Sequence, residues 1–173
     1  MEGQQFLNVN HFYQILPHIR GIVLDVDGVL TDNQILITES GEFLRQMNIR
    51  DGYAIKRAIH AGIKIGIITG GRSEGVVKRL NILHVSDIYT GCEIKLPVFR
   101  ELISKWDLPA GQIAYMGDDI PDVECLKEAG LACCPADSVP EVLNCAHFTS
   151  PYNGGQGCVR DLLEKVMKSQ NLW

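Results

Sequence analysis

Gly21-Ile22-Val23-Leu24-Asp25-Val26-Asp27-Gly28-Val29-Leu30 is the stretch on which the reading of this chain turns. Ile22 to Leu24 is a short apolar run, β-branched at its first two positions and followed by turn chemistry at Asp27-Gly28, so it predicts a buried strand. Two carboxylates then stand one residue apart. On an extended backbone, side chains at i and i+2 share a face, so Asp25 and Asp27 point the same way at the strand's carboxyl end. Open α/β sheets bind their ligands there. Like charges this close repel, and the pair calls for a cation or a shared proton. Gly28 lets the backbone turn tightly or approach a ligand. Taken alone, Asp-x-Asp-Gly reads at least as well as a polar turn with two solvated carboxylates. The EF-hand calcium pattern fails, because Val29, Leu30 and Thr31 stand where it needs further acidic ligands.

Other strand ends supply what the pair lacks. Ile63 to Ile68 reads as the second parallel strand and ends in Thr69-Gly70-Gly71-Arg72-Ser73. A hydroxyl and two glycines just ahead of a helix (Glu74 to Leu80) suit an anion, through backbone N–H groups and the helix dipole. Val85 to Thr90 is a further strand. Lys95 opens a helix that runs through Val98, Phe99, Leu102 and Ile103. A lysine there opposes the macrodipole, which suggests another task, such as meeting a phosphate. Ile113 to Met116 is a buried strand that ends in Gly117-Asp118-Asp119-Ile120-Pro121-Asp122, with Pro121 suited to the first turn of the next helix. Leu131 to Cys134 is another strand, and Asp137 to Glu141 starts a helix.

This alternation predicts an α/β fold: a Rossmann-like, open parallel sheet with helices on both faces. Asp25/Asp27, Thr69-Gly70 and Asp118/Asp119/Asp122 all fall at strand ends. With Lys95 they compose a site for Mg²⁺ and a phosphate. Hard oxygen ligands suit Mg²⁺, the lysine and the Thr-Gly loop hold the phosphate, and one carboxylate is left to attack and one to move a proton.

The flanking segments frame this core. Phe6, Val9, Phe12, Ile15, Leu16 and Ile19 have helical spacing, with Asn8 or Asn10 as a cap and Pro17 bending or ending the helix. Gln34 to Thr38 and Phe43 to Met47 flank a Ser40-Gly41 turn and predict a β-hairpin over about residues 33–48. A lone hairpin is marginal, and this one is expected to pair with another subunit. Asp51 is expected to cap a helix whose apolar face is Ile55, Ala58 and Ile59 and whose stop is Gly62. The Gly-rich tail, residues 152–160, precedes a helix from Asp161 to Met167 and is expected to close over something.

The bulk numbers bound the class. A length of 173 residues fits one domain, and 46% hydrophobic with 21% charged residues is ordinary for a globular protein. No apolar run approaches the ~20 residues of a membrane span. The N-terminus lacks a secretory pattern, and the six cysteines lack zinc spacing, so the expectation is a cytoplasmic chain with free thiols. A net charge of −5 with no basic stripe argues against nucleic acid.

These elements, in this order, resemble the haloacid dehalogenase superfamily. Asp25-Val26-Asp27-Gly28-Val29-Leu30-Thr31 matches the first motif, Thr69 the second, Lys95 the third and Gly117 to Asp122 the fourth. An Asp two positions after Asp25 resembles the phosphatase branch. The hairpin in place of a cap domain, the loop Asn48-Ile49-Arg50-Asp51-Gly52 and the tail Gly154 to Arg160 are similar to the capless subgroup. Its members act on phosphorylated sugar acids such as 3-deoxy-D-manno-octulosonate 8-phosphate (KDO 8-phosphate) or nonulosonate 9-phosphates.

The resemblance implies one hydrolase domain over 1–173 and a homotetramer in which one subunit's hairpin completes a neighbour's site. It implies that Asp25 is the nucleophile, Asp27 the acid–base, and Thr69 and Lys95 the phosphate binders. The metal falls to Asp25, the Asp27 carbonyl and Asp118, with Asp119 and Asp122 behind them. Gly28 and Gly70 offer backbone N–H groups to the phosphate. Asn48, Ile49, Arg50, Asp51, Gly52, Lys56, Gly71, Arg72 and Arg79 are candidates for the sugar. Two positions depart from the pattern: Gly71 stands where an Arg is often found, and Lys56 where an Arg is common. Arg50-Asp51-Gly52 favours the octulosonate ester, with a nonulosonate 9-phosphate as the alternative. Two other classes compete: a phospho-accepting receiver domain, whose acidic pair and phospho-Asp fall in a different strand order, and a catalytically dead scaffold, against which all four intact motifs speak.

Overall fold

The computed structural model describes residues 12–173. The proposed caps Asn8 and Asn10, with Phe6 and Val9, lie outside the described residues. Pro17 sits in a short 3₁₀ turn, Leu16–His18, after which Ile19 is extended. The chain then enters β1 (Gly21–Leu24), the hairpin strands β2 (Leu36–Ile37) and β3 (Phe43–Leu44), and α1 (Ile49–His60). It continues through β4 (Lys64–Ile68), α2 (Glu74–Ile82), β5 (Asp87–Tyr89) and α3 (Lys95–Lys105). The last part is β6 (Ile113–Met116), α4 (Val123–Glu128), β7 (Leu131–Cys134), α5 (Pro140–Leu143), β8 (Phe148–Thr149) and α6 (Cys158–Ser169).

Six strands form one sheet in the order β5-β4-β1-β6-β7-β8, and every neighbouring pair is parallel. β1 is central and fully buried, because Ile22-Val23-Leu24 must be covered from both faces. Alternation then divides the core. Ile22 and Leu24 face the apolar sides of α1, α2 and α6, through Ile55, Leu80 and Leu162 among others. Val23 faces α3, α4 and α5, through Phe99, Leu126 and Val142. β4 lies on one side of β1 and β6 on the other, so the chain order reverses at β1, and the crevice where such sheets bind ligands opens at that strand's carboxyl end.

Four local readings change. Asn48, not Asp51, caps α1: its backbone is extended and its side chain accepts the Arg50 N–H, while Asp51 is already helical. α2 runs on past Leu80 to Ile82. α6 starts at Cys158 rather than Asp161, directly after Gly157 with its φ of 111°. β8 is an edge strand of two residues that no sequence pattern announced. The hairpin forms as expected, and its Leu36, Ile37 and Phe43 are 67, 63 and 60% exposed.

Candidate active site

The register of the central strands assembles the site. Leu24 pairs with Met116 on one side and Ile67 on the other, so the residues that follow each strand emerge at one edge. Asp25, Thr69 and Asp118 are the first polar side chains past β1, β4 and β6. All three are buried.

After Asp25 the backbone wraps on itself. The N–H groups of Val29, Leu30 and Thr31 all donate to the Val26 carbonyl. The Thr31 hydroxyl donates to the same carbonyl and accepts the Gly28 N–H, both at 3.3 Å. Gly28 takes φ 87°, and a methyl there would overlap the Asp118 carboxylate. Glycine at 28 is therefore what lets Asp118 approach the first motif.

Asp122 organises the cluster. It is fully buried, and its Oδ1 accepts from Lys95 Nζ at 2.8 Å and from the Tyr115 hydroxyl at 2.7 Å. Its Oδ2 accepts the backbone N–H of Asp118 at 3.2 Å and of Asp119 at 3.4 Å. Lys95 Nζ also lies 2.8 Å from Asp25 Oδ2. The lysine that opposes the dipole of α3 is thus placed there to meet two buried carboxylates. Asp25 Oδ1 accepts the Val26 N–H at 2.7 Å.

Asp25, Asp118 and Asp122 bring their oxygens within 4.8 Å of one another. If all ionise, three carboxylates against one ammonium leave two negative charges in a buried place. Burial and the charge of Asp122 push Asp25 up to about 7. Burial and the charge of Asp25 push Asp118 up to about 8. Burial works against the charge on Lys95, but the two carboxylates outweigh it and raise its pKa. Asp118 Oδ1 is buried with no hydrogen-bond partner, while its Oδ2 accepts from Asn33 at 3.3 Å. An orphaned carboxylate oxygen, an all-oxygen donor set and two excess negative charges fit a hard divalent cation.

A pocket of about 210 Å³ opens over this cluster, and Asp27, Asn33, Thr69, Gly70, Gly71, Cys92, Glu93, Asp119 and Pro121 form its remaining walls. Thr69 Oγ1 accepts the Gly71 N–H at 3.2 Å, which leaves the hydroxyl proton for an anion. Asp119 is exposed at the rim, where its Oδ1 accepts the Ile120 N–H at 2.7 Å.

The sugar candidates are scattered. Gly70 and Gly71 line this pocket. Arg50 lies in a separate cleft with Arg160 and Lys168. Lys56 lies in another with Arg57 and His60. Arg72 and Arg79 border a third beside the hairpin, to which Ile49 also contributes. Gly52 is buried beneath Arg79, and a methyl on it would stand 2.6 Å from Nη2. Asp51 is 1% exposed and accepts the Arg160 N–H at 2.7 Å, so it caps the start of α6. Asn48 Nδ2 donates to the Gly155 carbonyl at 3.2 Å. The Gly-rich tail closes on the first motif: the Gly155 N–H donates to the Val29 carbonyl at 2.9 Å.

Sequence reasoning missed Asn33, Tyr115 and Arg45. Asn33 had a signal, since it takes φ 65°, which Asn tolerates better than most residues. Tyr115 had none, because a buried strand tyrosine reads as core. Arg45 had none either, because only the tertiary fold of the hairpin brings it to Asp27.

No protein-family model matches the chain. It is similar to the 3-deoxy-D-manno-octulosonate 8-phosphate phosphatase KdsC of Yersinia pestis, with 36% identity over 158 residues, which is 91% of this chain and 84% of the relative. A crystal structure of the corresponding phosphatase from Moraxella catarrhalis, in complex with magnesium ion, phosphate ion and KDO, matches with a TM-score of 0.91 at 32% identity, covering 94% of this chain and 93% of that one. A HAD superfamily (subfamily III A) hydrolase structure from Legionella pneumophila matches with a TM-score of 0.93 at 30% identity, covering 97% and 92%. The chain belongs to the 3-deoxy-D-manno-octulosonate 8-phosphate phosphatase (KdsC) family of the haloacid dehalogenase superfamily.

Proposed function

We propose that this chain is a Mg²⁺-dependent phosphatase that hydrolyses a phosphorylated sugar acid, KDO 8-phosphate, to KDO and phosphate. The observation that carries the reading is the buried cluster of Asp25, Asp118 and Asp122 on Lys95, beneath a pocket lined by Thr69 and Gly70. The relatives' activity, and the magnesium, phosphate and KDO of the Moraxella structure, support the same substrate and cofactor.

In this reading Asp25 Oδ attacks phosphorus and forms an aspartyl-phosphate as the sugar oxygen leaves. Asp27 gives its proton to that oxygen, then takes one from the water that hydrolyses the intermediate. Lys95 and Thr69 hold the phosphoryl oxygens, together with backbone N–H groups near Gly28 and Gly70, the Gly28 N–H itself being held by Thr31 Oγ1. Asp122 fixes Lys95 and the Asp118 backbone, so the cluster is set before substrate arrives. Asp25, Asp118 and the Asp27 carbonyl would hold Mg²⁺, which when bound shields the phosphate from the carboxylates and stabilises transition-state charge.

We further infer a homotetramer with the hairpin at the interface, which its exposed Leu36, Ile37 and Phe43 support. A cytoplasmic location is supported by six free thiols. Among the described residues, no helix is long and apolar enough to cross a membrane.

The test is Asp25→Asn. Phosphate release should fall by about 10³-fold or more, the scale of losing a covalent nucleophile, with unchanged folding. An Asp25→Asn protein that keeps its turnover would refute the covalent reading.

A further inference from the structure

Asp27 is not free to act in the arrangement seen here. Arg45, the residue after β3, donates from Nε to Asp27 Oδ1 at 2.6 Å and from Nη2 to Oδ2 at 3.1 Å. This is the bidentate fork that matches a carboxylate edge to edge. Only 9% of the Arg45 side chain is exposed, against 30% of Asp27. Gly71 makes the room. A methyl at 71 would stand 2.9 Å from Asp27 Oδ2 and 3.4 Å from Arg45 Nη2. A general acid must bring an oxygen within about 3 Å of the leaving atom, and both Asp27 oxygens are already taken.

Arg45 therefore has to withdraw before Asp27 can serve the leaving group, and the structure offers it a second place. Arg45 also borders the cleft of about 680 Å³ between the hairpin and α2, which has Arg72, Arg79, Glu42 and Glu74 on its walls. Among the described residues, neither Arg72 nor Arg79 forms an ion pair with a carboxylate. An anion entering this cleft meets three arginines, one of which is the clamp on Asp27, against two carboxylates that already have partners: Glu74 pairs with Lys78 and Glu42 accepts from the Ser40 hydroxyl.

We propose that Arg45 is a gate on Asp27 that the substrate's own carboxylate opens. The carboxylate takes over the Arg45 fork, and the released Asp27 oxygens turn to the leaving sugar oxygen. Arg45 keeps its proton throughout and exchanges only hydrogen bonds; the proton that the released Asp27 gives to the leaving oxygen is taken up from solvent water once the fork has left it. One bidentate carboxylate pair replaces another, so the exchange is close to even for a sugar acid. A neutral sugar has only hydroxyls to offer, which are weaker acceptors for a cation, and the gate stays shut. The gate rests on the phosphatase reading and deepens it. It makes acid recognition part of the chemical step rather than of binding alone. Arg45 is in this sense a positioning residue that acts through Asp27.

The test compares KDO 8-phosphate with its carboxyl methyl ester, which removes the charge and adds one methyl group. Wild type should prefer the free acid in kcat/KM by about tenfold or more. In Arg45→Met the methyl-ester rate should rise, the free-acid rate should not, and the preference should shrink to about threefold or less. Arg45→Lys, with charge but no fork, should fall between the two. A damaged fold lowers both rates and cannot raise one, and thermal melting checks folding separately. The gate is overturned if the methyl-ester rate fails to rise in Arg45→Met, or if both rates rise together and the preference stays. A wild-type protein that releases phosphate from neither ester, nor from any other, removes the phosphatase reading and the gate with it. Wild-type turnover with an unchanged preference in Arg45→Met sinks the gate alone.

Discussion

Gly154 packs backbone to backbone on Gly28, so closely that a methyl at 154 would overlap the Gly28 carbonyl oxygen. The tail thereby braces the loop that carries Asp25 and Asp27, and the Gly154 N–H is held in turn by Asp137 Oδ1 at 2.9 Å. Gly154→Ala should push the tail off this loop. Overpacking of this kind costs about 1–3 kcal/mol, and kcat should fall as well because the acid–base loop loses its support. Urea unfolding and steady-state kinetics on one sample check both effects.

The raised Asp25 and Asp118 carboxyls set a pH dependence. Their folded values, about 7 and about 8, lie above their ordinary value of 3.8. A raised carboxyl favours the folded state while it is protonated, and that advantage is lost as pH rises through the folded values. Metal-free protein should therefore lose stability between about pH 4 and pH 8. Mg²⁺ binds the ionised form, so it should raise the melting temperature at pH 8 far more than at pH 5. Melting curves with Mg²⁺ and with EDTA at the two pH values test this. Equal Mg²⁺ shifts at both would contradict the cluster as the metal site.

Lys95 is the cluster's one cation and is 3% exposed. Lys95→Met leaves Asp25 and Asp122 facing each other without it. Breaking a buried pair from one side costs about 3–5 kcal/mol. The loss should be largest in metal-free protein at pH 8 and smaller at pH 5, where Asp25 and Asp118 can take protons. Chemical denaturation at the two pH values is the measurement.

Asp51 separates a structural role from a binding role. Its buried carboxylate caps α6, and burial pushes its pKa up even though the Arg160 N–H opposes the shift. Asp51→Ala should cost about 0.5–2 kcal/mol, the range for a lost helix cap. It should leave kcat/KM on KDO 8-phosphate nearly unchanged. A large loss in kcat/KM with full stability would return Asp51 to the substrate.

The sheet was legible because its strands are continuous apolar runs that end in chemistry. Ile22-Val23-Leu24 and Ile113-Ala114-Tyr115-Met116 need cover on both faces, and that requirement alone implies a parallel sheet between helices. The carboxylates at their ends were legible from spacing. The cap of α1 was not, since Asn48 and Asp51 both suit that role and backbone angles decide between them. β8 was not, since two residues have no periodicity to read. The Asp51–Arg160 and Asp27–Arg45 contacts join residues 109 and 18 positions apart, and a contact of that kind is set by packing rather than by local pattern.

Turnover of KDO 8-phosphate with Mg²⁺, measured beside nonulosonate 9-phosphates and simple hexose phosphates, tests the phosphatase activity most directly. The prediction is a kcat/KM preference for the octulosonate ester of ~100-fold or more, worth about 2.7 kcal/mol of transition-state binding, which EDTA abolishes. Flat, slow release across the panel, or release that survives EDTA, would contradict it.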